Sequence, residues 1–263
     1  MNRYLAGKTV VITGASSGLG ESLAHLCARE KAHLVLLARS EDKLAALSEK
    51  LESAYGINAS FYPVDLTNFA ALDACAARIL DQHDVDVLIN SAGFGLFETA
   101  LDTPFETVEA MFDTNVLALI RFTQLLLPTL LEKNEGHIVN VASQAGKIAT
   151  PKSSTYAATK FAVLGYSNAL RMELSETNIH VTTVNPGPMA TNFFTIADQS
   201  GEYLNNVGFF ALKPEKVAEK TVRILGKKRR EINLPILMNI GTRLYQLMPS
   251  LIECLGKRAF MKK

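Results

Sequence analysis

The strongest constraint on this fold is an alternation. Short runs rich in Val, Ile, Leu and Ala recur along the chain, separated by segments with helical spacing and by short links. The strand-like runs are KTVVITG (8–14), AHLVLLA (32–38), NASFYPVDL (58–66), DVDVLINSAG (84–93), HIVNVAS (137–143) and HVTTVNPG (180–187). Helices are expected at about 18–30, 40–56, 68–83, 103–133 and 154–174. Ser40 reads as an N-cap and Gly56 as a stop. The helix at 103 opens with Thr103, Pro104 and Glu106, the pattern of a capping box. Strands apolar along their whole length need cover on both faces, which parallel strands with crossover helices provide. The expected class is α/β, a doubly wound parallel sheet with its ligand at the carboxyl ends of the strands. No Pro- or Ser-rich linker divides the chain. Residues 1–233 read as one domain, and 234–263 as a C-terminal amphipathic extension of it.

The first strand runs into VVITGASSGLG, with Gly14, Gly18 and Gly20 at a TGxxxGxG spacing. Such a turn lets a pyrophosphate approach backbone N–H groups at a helix N-terminus; taken alone it also fits a tight structural turn. In dinucleotide folds an acid after the second strand holds the ribose 2′-OH of NAD, whereas an arginine accommodates the 2′-phosphate of NADP. Here Ala38 and Arg39 occupy that place, with Ser40 beside them, so a cofactor at this site would be NADP(H) in preference to NAD(H). Asp65, at the end of the third strand, reads equally as a partner for an adenine amine or as a helix cap.

The segment STYAATKFAVLGYSNALRMEL (154–174) carries Tyr156 four places before Lys160, on a helix whose apolar side reads as Phe161, Leu164 and Leu170. Residues four apart share a helix face. An ammonium near a phenol favours the phenolate, which suits the tyrosine to proton transfer. Ser143 ends the fifth strand, on the ligand side of the sheet. Asn115 interrupts an apolar helix, where a buried amide needs a partner.

Together TGASSGLG (13–20), Asp65, NSAG (90–93), Asn115, Ser143, YAATK (156–160) and NPGPMAT (185–191) resemble the short-chain dehydrogenase/reductase family, over about residues 6–226. The resemblance implies a Rossmann-like fold and hydride transfer between a nicotinamide cofactor and a small carbonyl or alcohol substrate. Tyr156 would be the general acid or base, and Lys160 would lower its pKa and bond the nicotinamide ribose. Ser143 would hold the substrate oxygen, and Asn115 a relay water. The cofactor would lie along Gly14, Ser16, Ser17, Gly18, Leu19 and Gly20, then Arg39, Ser40, Asp65 and Leu66. Asn90, Ala92 and Gly93 would follow, then Tyr156, Lys160, Pro186, Gly187, Met189 and Thr191. Two departures stand out: Ser91 replaces the second Asn of the family's NNAG, and the glycine turn lacks the basic residue many NADP-preferring relatives carry. A homodimer or homotetramer is expected.

The loop 189–213 is long and carries Phe193, Phe194, Phe209 and Phe210, consistent with a lid over an apolar substrate or with core cover. The tail has apolar residues at 236, 237, 240, 244, 247, 248, 251, 252 and 255, while Arg243, Pro249 and Glu253 argue against a membrane span. Three roles are open to it: packing on a second subunit, covering the core, or lying on an anionic membrane surface. Residues 227–263 hold nine Lys/Arg against two Glu, a net +7. The whole chain is only +1, so no global field points to nucleic acid. Three scattered cysteines without CxxC spacing give neither a disulfide framework nor a metal site. The N-terminus lacks an apolar leader pattern, and a cytoplasmic location is expected, with peripheral membrane contact through the tail as an alternative. Other functions weighed are a 3-oxoacyl-thioester reductase, a sugar or steroid reductase, and a dinucleotide sensor without turnover.

Overall fold

The structure is a computed structural model that describes residues 2–198 and 211–260. Phe209 and Phe210 lie outside the described residues. Seven strands form one sheet: β1 (Thr9–Thr13), β2 (His33–Ala38), β3 (Ala59–Pro63), β4 (Val85–Asn90), β5 (Gly136–Val141), β6 (Ile179–Pro186) and β7 (Glu231–Leu234). Their order is β3-β2-β1-β4-β5-β6-β7 and every pairing is parallel. The chain winds outward from β1 in one direction to β3 and then in the other from β4 to β7. The reversal leaves a crevice beyond the carboxyl ends of β1 and β4.

The apolar runs are continuous because alternate residues enter two separate cores. Val10, Ile12, Leu34, Leu36, Val87 and Ile89 face α1 (Gly18–Arg29), α2 (Glu41–Tyr55) and α8 (Pro214–Ile224). Val11, Val35, Leu37 and Leu88 face α3 (Phe69–Gln82) and α5 (Ala118–Lys133). These strand residues are at most 1% exposed, as expected for a sheet roofed on both sides.

Some local expectations hold and others change. Ser40 is the N-cap of α2, although its side chain makes no capping bond, and Gly56 ends that helix at φ +61°. The helix read at 103–133 is three pieces: α4 (Phe105–Phe112), a π turn at Asp113–Leu117, and α5. The capping box does not form, because Pro104 is the N-cap and the Thr103 hydroxyl donates to the Thr99 carbonyl at 2.8 Å. On α6 (Ser154–Glu173) the buried face is Tyr156, Ala157, Thr159, Lys160, Val163, Ser167 and Leu170, whereas Phe161 is 45% exposed. The tail is not one helix. It folds as α9 (Ile236–Leu247) and α10 (Pro249–Phe260), broken before Pro249, whose ring cannot continue a helical ladder.

Candidate active site

The glycine turn is shaped by contacts that leave no room for side chains. Gly14 lies at φ +68°, and a Cβ there would sit 2.8 Å from Ala92 Cα, so the ends of β1 and β4 nearly touch. A Cβ at Gly20 would lie 2.1 Å from the Gly14 carbonyl, which is how α1 packs directly under the turn. Thr13 closes the other side, its hydroxyl accepting from the N–H groups of Ser91 and Ala92 at 3.1 and 3.2 Å. The first intrahelical bond of α1 runs from Glu21 N–H to the Ser17 carbonyl. The N–H groups of Gly18, Leu19 and Gly20 therefore have no helical acceptor, and the Ser17 hydroxyl does not cap them. That is the donor set an anionic pyrophosphate needs. Across the crevice, Thr191 approaches within 3.5 Å of the Cβ position of Gly18, bringing the loop after β6 over the turn.

At the adenosine end, Arg39 is exposed at the tip of β2. Asp65 is exposed as well. The Thr67 N–H and hydroxyl, and more weakly Arg39, hold its carboxyl below the usual carboxylate range. It does not cap α3; that role belongs to Asn68, whose side chain accepts from Ala71 N–H at 3.1 Å. The Asn90 amide nitrogen donates to Thr123 and Asn140 at 3.1 and 2.9 Å. Its Oδ1 is buried without a hydrogen-bond partner, on a small pocket lined also by Leu66, Ala92, Thr114 and Leu119. An orphaned acceptor beside an apolar slot, a side-chain-free turn and a free helix terminus together fit a dinucleotide.

Asn115 explains the π turn. Its side chain accepts from Phe94 N–H at 2.9 Å and donates to the Phe94 carbonyl at 2.8 Å and to the Thr159 hydroxyl at 3.1 Å. The loop leaving β4 is thereby clamped at both backbone groups of one residue. Gly93 lets it pass: a Cβ there would be 2.9 Å from Asn115 Oδ1 and 3.5 Å from Lys160 Nζ. Asn115 lies within the π turn, where the backbone departs from ordinary helical hydrogen bonding.

Lys160 is 4% exposed, and its ammonium donates to the Val141 carbonyl at 3.1 Å. No carboxylate pairs with it among the described residues, and burial pushes its pKa down to about 8. The Nζ stands 5.7 Å from the centre of the Tyr156 ring. Ser143 follows β5 as the N-cap of a single 3₁₀ turn, accepting from Ala145 N–H at 3.0 Å and directing its hydroxyl at the Pro186 carbonyl, 3.4 Å away. An aromatic cluster covers Tyr156: Phe97 and Phe193 lie 5.8 and 5.6 Å from its ring, and Phe194 is 6.0 Å from Phe97. Phe193 and Phe194 belong to α7 (Phe193–Ala197), and the Phe97 N–H donates to the Ala197 carbonyl at 2.7 Å.

A nucleotide cradle and a buried Tyr–Lys pair thus share one end of the sheet. A sequence model of the short chain dehydrogenases matches residues 8–200. The chain belongs to this family. As a short-chain dehydrogenase it is 34% identical over 230 residues to the ketoacyl reductase HetN of Nostoc sp., covering 87% of this chain and 78% of that one. Its fold superposes with a TM-score of 0.86 on a short-chain dehydrogenase/reductase from Burkholderia phymatum in complex with NAD, at 25% identity, covering 95% of this chain and 96% of that one. A short-chain dehydrogenase from Sphingobium yanoikuyae in complex with NADPH gives 0.81 at 28% identity, covering 92% and 95%.

Sequence reasoning missed several parts of this dehydrogenase's site. Thr13 was legible only as part of a glycine motif, and Phe94 and Phe97 carry no motif. Gln144 was hidden by its neighbour Ser143. It is 2% exposed, donates to the Asn185 carbonyl at 3.0 Å and accepts from Thr242 of α9 at 3.4 Å. Behind it, Asn185 donates to Asn233, Asn233 donates to Glu231, and Glu231 pairs with Lys147. The loops after β5 and β6 are therefore locked to β7 and the tail.

Proposed function

We propose that this enzyme transfers hydride between NADP(H), preferred over NAD(H), and a carbonyl or alcohol group on a small, predominantly apolar molecule. The observation that carries the reading is the buried ammonium of Lys160, without a carboxylate partner among the described residues and 5.7 Å from the Tyr156 ring. A charge left in a dry site is costly, and here it lies where it favours the phenolate form of a neighbouring acid. Tyr156 then donates the proton to the carbonyl oxygen during reduction and takes it back during oxidation. Ser143 holds that oxygen, and Asn115 fixes the loop that walls the site. The cofactor, when bound, supplies the hydride. Gly18, Leu19 and Gly20 would hold its pyrophosphate, Arg39 and Ser40 its 2′-phosphate, and Lys160 and Thr191 its nicotinamide half. The NADP preference rests on Arg39 standing where an acid would select NAD, and the NADPH-bound Sphingobium relative is in keeping with it. The cluster of Phe97, Phe193 and Phe194 supports an apolar substrate.

A panel of ketones and aldehydes, followed by loss of NADPH absorbance, tests the reading. Tyr156→Phe should cost about 10²–10⁴-fold in turnover on every active compound, and equal rates in the two proteins would remove Tyr156 from the chemistry. A second reading, a 3-oxoacyl-thioester reductase, is favoured by the name of the Nostoc relative. An acetoacetyl thioester reduced well ahead of every simple ketone would select it. We further take the enzyme as cytoplasmic and as a homodimer or homotetramer, which light scattering measures.

A further inference from the structure

The tail helix is amphipathic in the inverted sense. On α9 the side turned to the enzyme body is polar: Asn239 Oδ1 is buried, and Thr242, 2% exposed, donates to Gln144. Met238 is the apolar exception, packed over Gly187. The opposite side carries Ile236, Leu237, Ile240, Leu244 and Leu247, at 67, 66, 51, 43 and 77% exposure. At the helical repeat these five fall within an arc of about 100°. Met248 and Leu251, also exposed, extend the apolar surface past the break into α10. A helix on a water-facing surface has the reverse arrangement, and a contiguous apolar patch marks an interaction surface.

Charge identifies the partner. Residues 236–263 carry five Lys/Arg and a single acid, Glu253, a net +4. Arg243 is exposed and adjoins the stripe on the helical wheel. Two-fold pairing with a second copy would set this positive charge against itself. An anionic lipid surface complements it, and an apolar stripe beside basic residues is the pattern of a helix lying in the headgroup layer. The run Phe105–Lys133 is long and apolar enough to cross a membrane by composition alone, but α5 packs against α3, β4 and β5 inside the fold. We infer that α9 and the start of α10 dock the enzyme on an anionic phospholipid bilayer, with Ile236, Leu237, Ile240, Leu244 and Leu247 facing the acyl chains. The inner side of the same helix touches Gln144, beside Ser143, and Gly187. Docking therefore sets the candidate active site next to the lipid, where apolar carbonyl compounds partition. That last consequence rests on the function proposed above; the docking does not.

Vesicle sedimentation of the full chain decides the matter without reference to activity. Phosphatidylcholine vesicles are compared with vesicles of phosphatidylcholine and phosphatidylglycerol. The enzyme should pellet with the mixed vesicles, and added salt should release it. The Ile240→Glu/Leu244→Glu variant should bind about tenfold more weakly or worse, and Arg243→Glu a few-fold more weakly. Circular dichroism and NADPH fluorescence report whether these variants are folded; Ile236→Ser/Leu247→Ser replaces the first should it fail. Pelleting that ignores phosphatidylglycerol, pelleting unchanged in a folded stripe variant, or no pelleting at all overturns the inference. So does a stripe variant that splits an oligomer in light scattering, because the face would then be a subunit interface.

Discussion

Replacing Lys160 with methionine should make the cofactor-free protein more stable at neutral pH while abolishing most of its activity. The ammonium sits in the interior with one carbonyl for company, and its pKa falls from the ordinary 10.5 to about 8. At about 1.36 kcal/mol per pKa unit, the charged form costs the folded state about 3 kcal/mol relative to the unfolded chain. Methionine removes that cost and keeps the bulk, but strands the Val141 carbonyl, a loss of about 1 kcal/mol. The net gain at pH 7 is about 2 kcal/mol. Its pH dependence has a definite sign. Below about pH 8 the lysine is charged in both states, so the native protein bears the full penalty. Between about 8 and 10.5 the folded lysine is neutral while the unfolded one still holds its proton. Wild-type stability therefore rises with pH through this window relative to the variant. Urea titrations of both proteins near pH 7, 9 and 10, without nucleotide, should show the gap falling from about 2 to about 1 kcal/mol and then closing. A variant less stable at pH 7, or a gap indifferent to pH, would mean that the ammonium is well solvated or paired, and the electrostatic account of Tyr156 would lose its basis.

The remaining expectations are local. Arg39→Ala should weaken NADPH about tenfold or more and NADH little, since a charge-assisted bond to phosphate is worth about 1.5–3 kcal/mol; equal losses in fluorescence titrations would overturn the cofactor preference. Gly20→Ala drives a methyl into the Gly14 carbonyl, with no flexible side chain to yield, so denaturation should show a loss of about 1–3 kcal/mol together with nucleotide binding. Asn115→Leu leaves both backbone groups of Phe94 unpaired and should cost about 3 kcal/mol in urea unfolding. Phe97→Ala opens the aromatic cover of Tyr156, where Phe193 remains on the ring, and should raise KM for the most apolar substrates more than it lowers kcat.

The fold was legible because its signal is repeated. The first six strands are apolar runs of five to eight residues separated by helical segments, and six such runs in series admit few other architectures. The glycine turn was legible because Gly14 and Gly20 are forced by contacts at the Cβ itself and Gly18 by its φ of +59°. What escaped was set by tertiary neighbours. A capping box at 103 lost to a bond from Thr103 to Thr99, both in the loop before α4. Asn115 looked like a flaw in a helix because the object of its bonds, the backbone of Phe94, is twenty-one residues away and bears no motif. The bonds from the Asn90 amide nitrogen to Thr123 and Asn140 also join positions far apart in the chain.

Two departures from the partition of apolar inside and charged outside stand out among the described residues. One is Lys160, a cation sealed in the core; the other is α9, which turns leucines outward and asparagine and threonine inward. Neither arrangement helps the isolated molecule fold, since the first costs desolvation and the second leaves apolar surface in water. On the function and docking proposed above, each becomes favourable when something else arrives: an anionic cofactor and a developing phenolate at Lys160, an anionic apolar surface at α9. Gln144 joins them, bonded to α9 at one end of its side chain and to the loop after β6 at the other, one residue from Ser143. A local violation of folding rules, with no compensating partner among the described residues, is the physical feature the two places share. It also explains why the fold could be read from periodicity while the sites required the three-dimensional neighbours of Lys160 and Thr242.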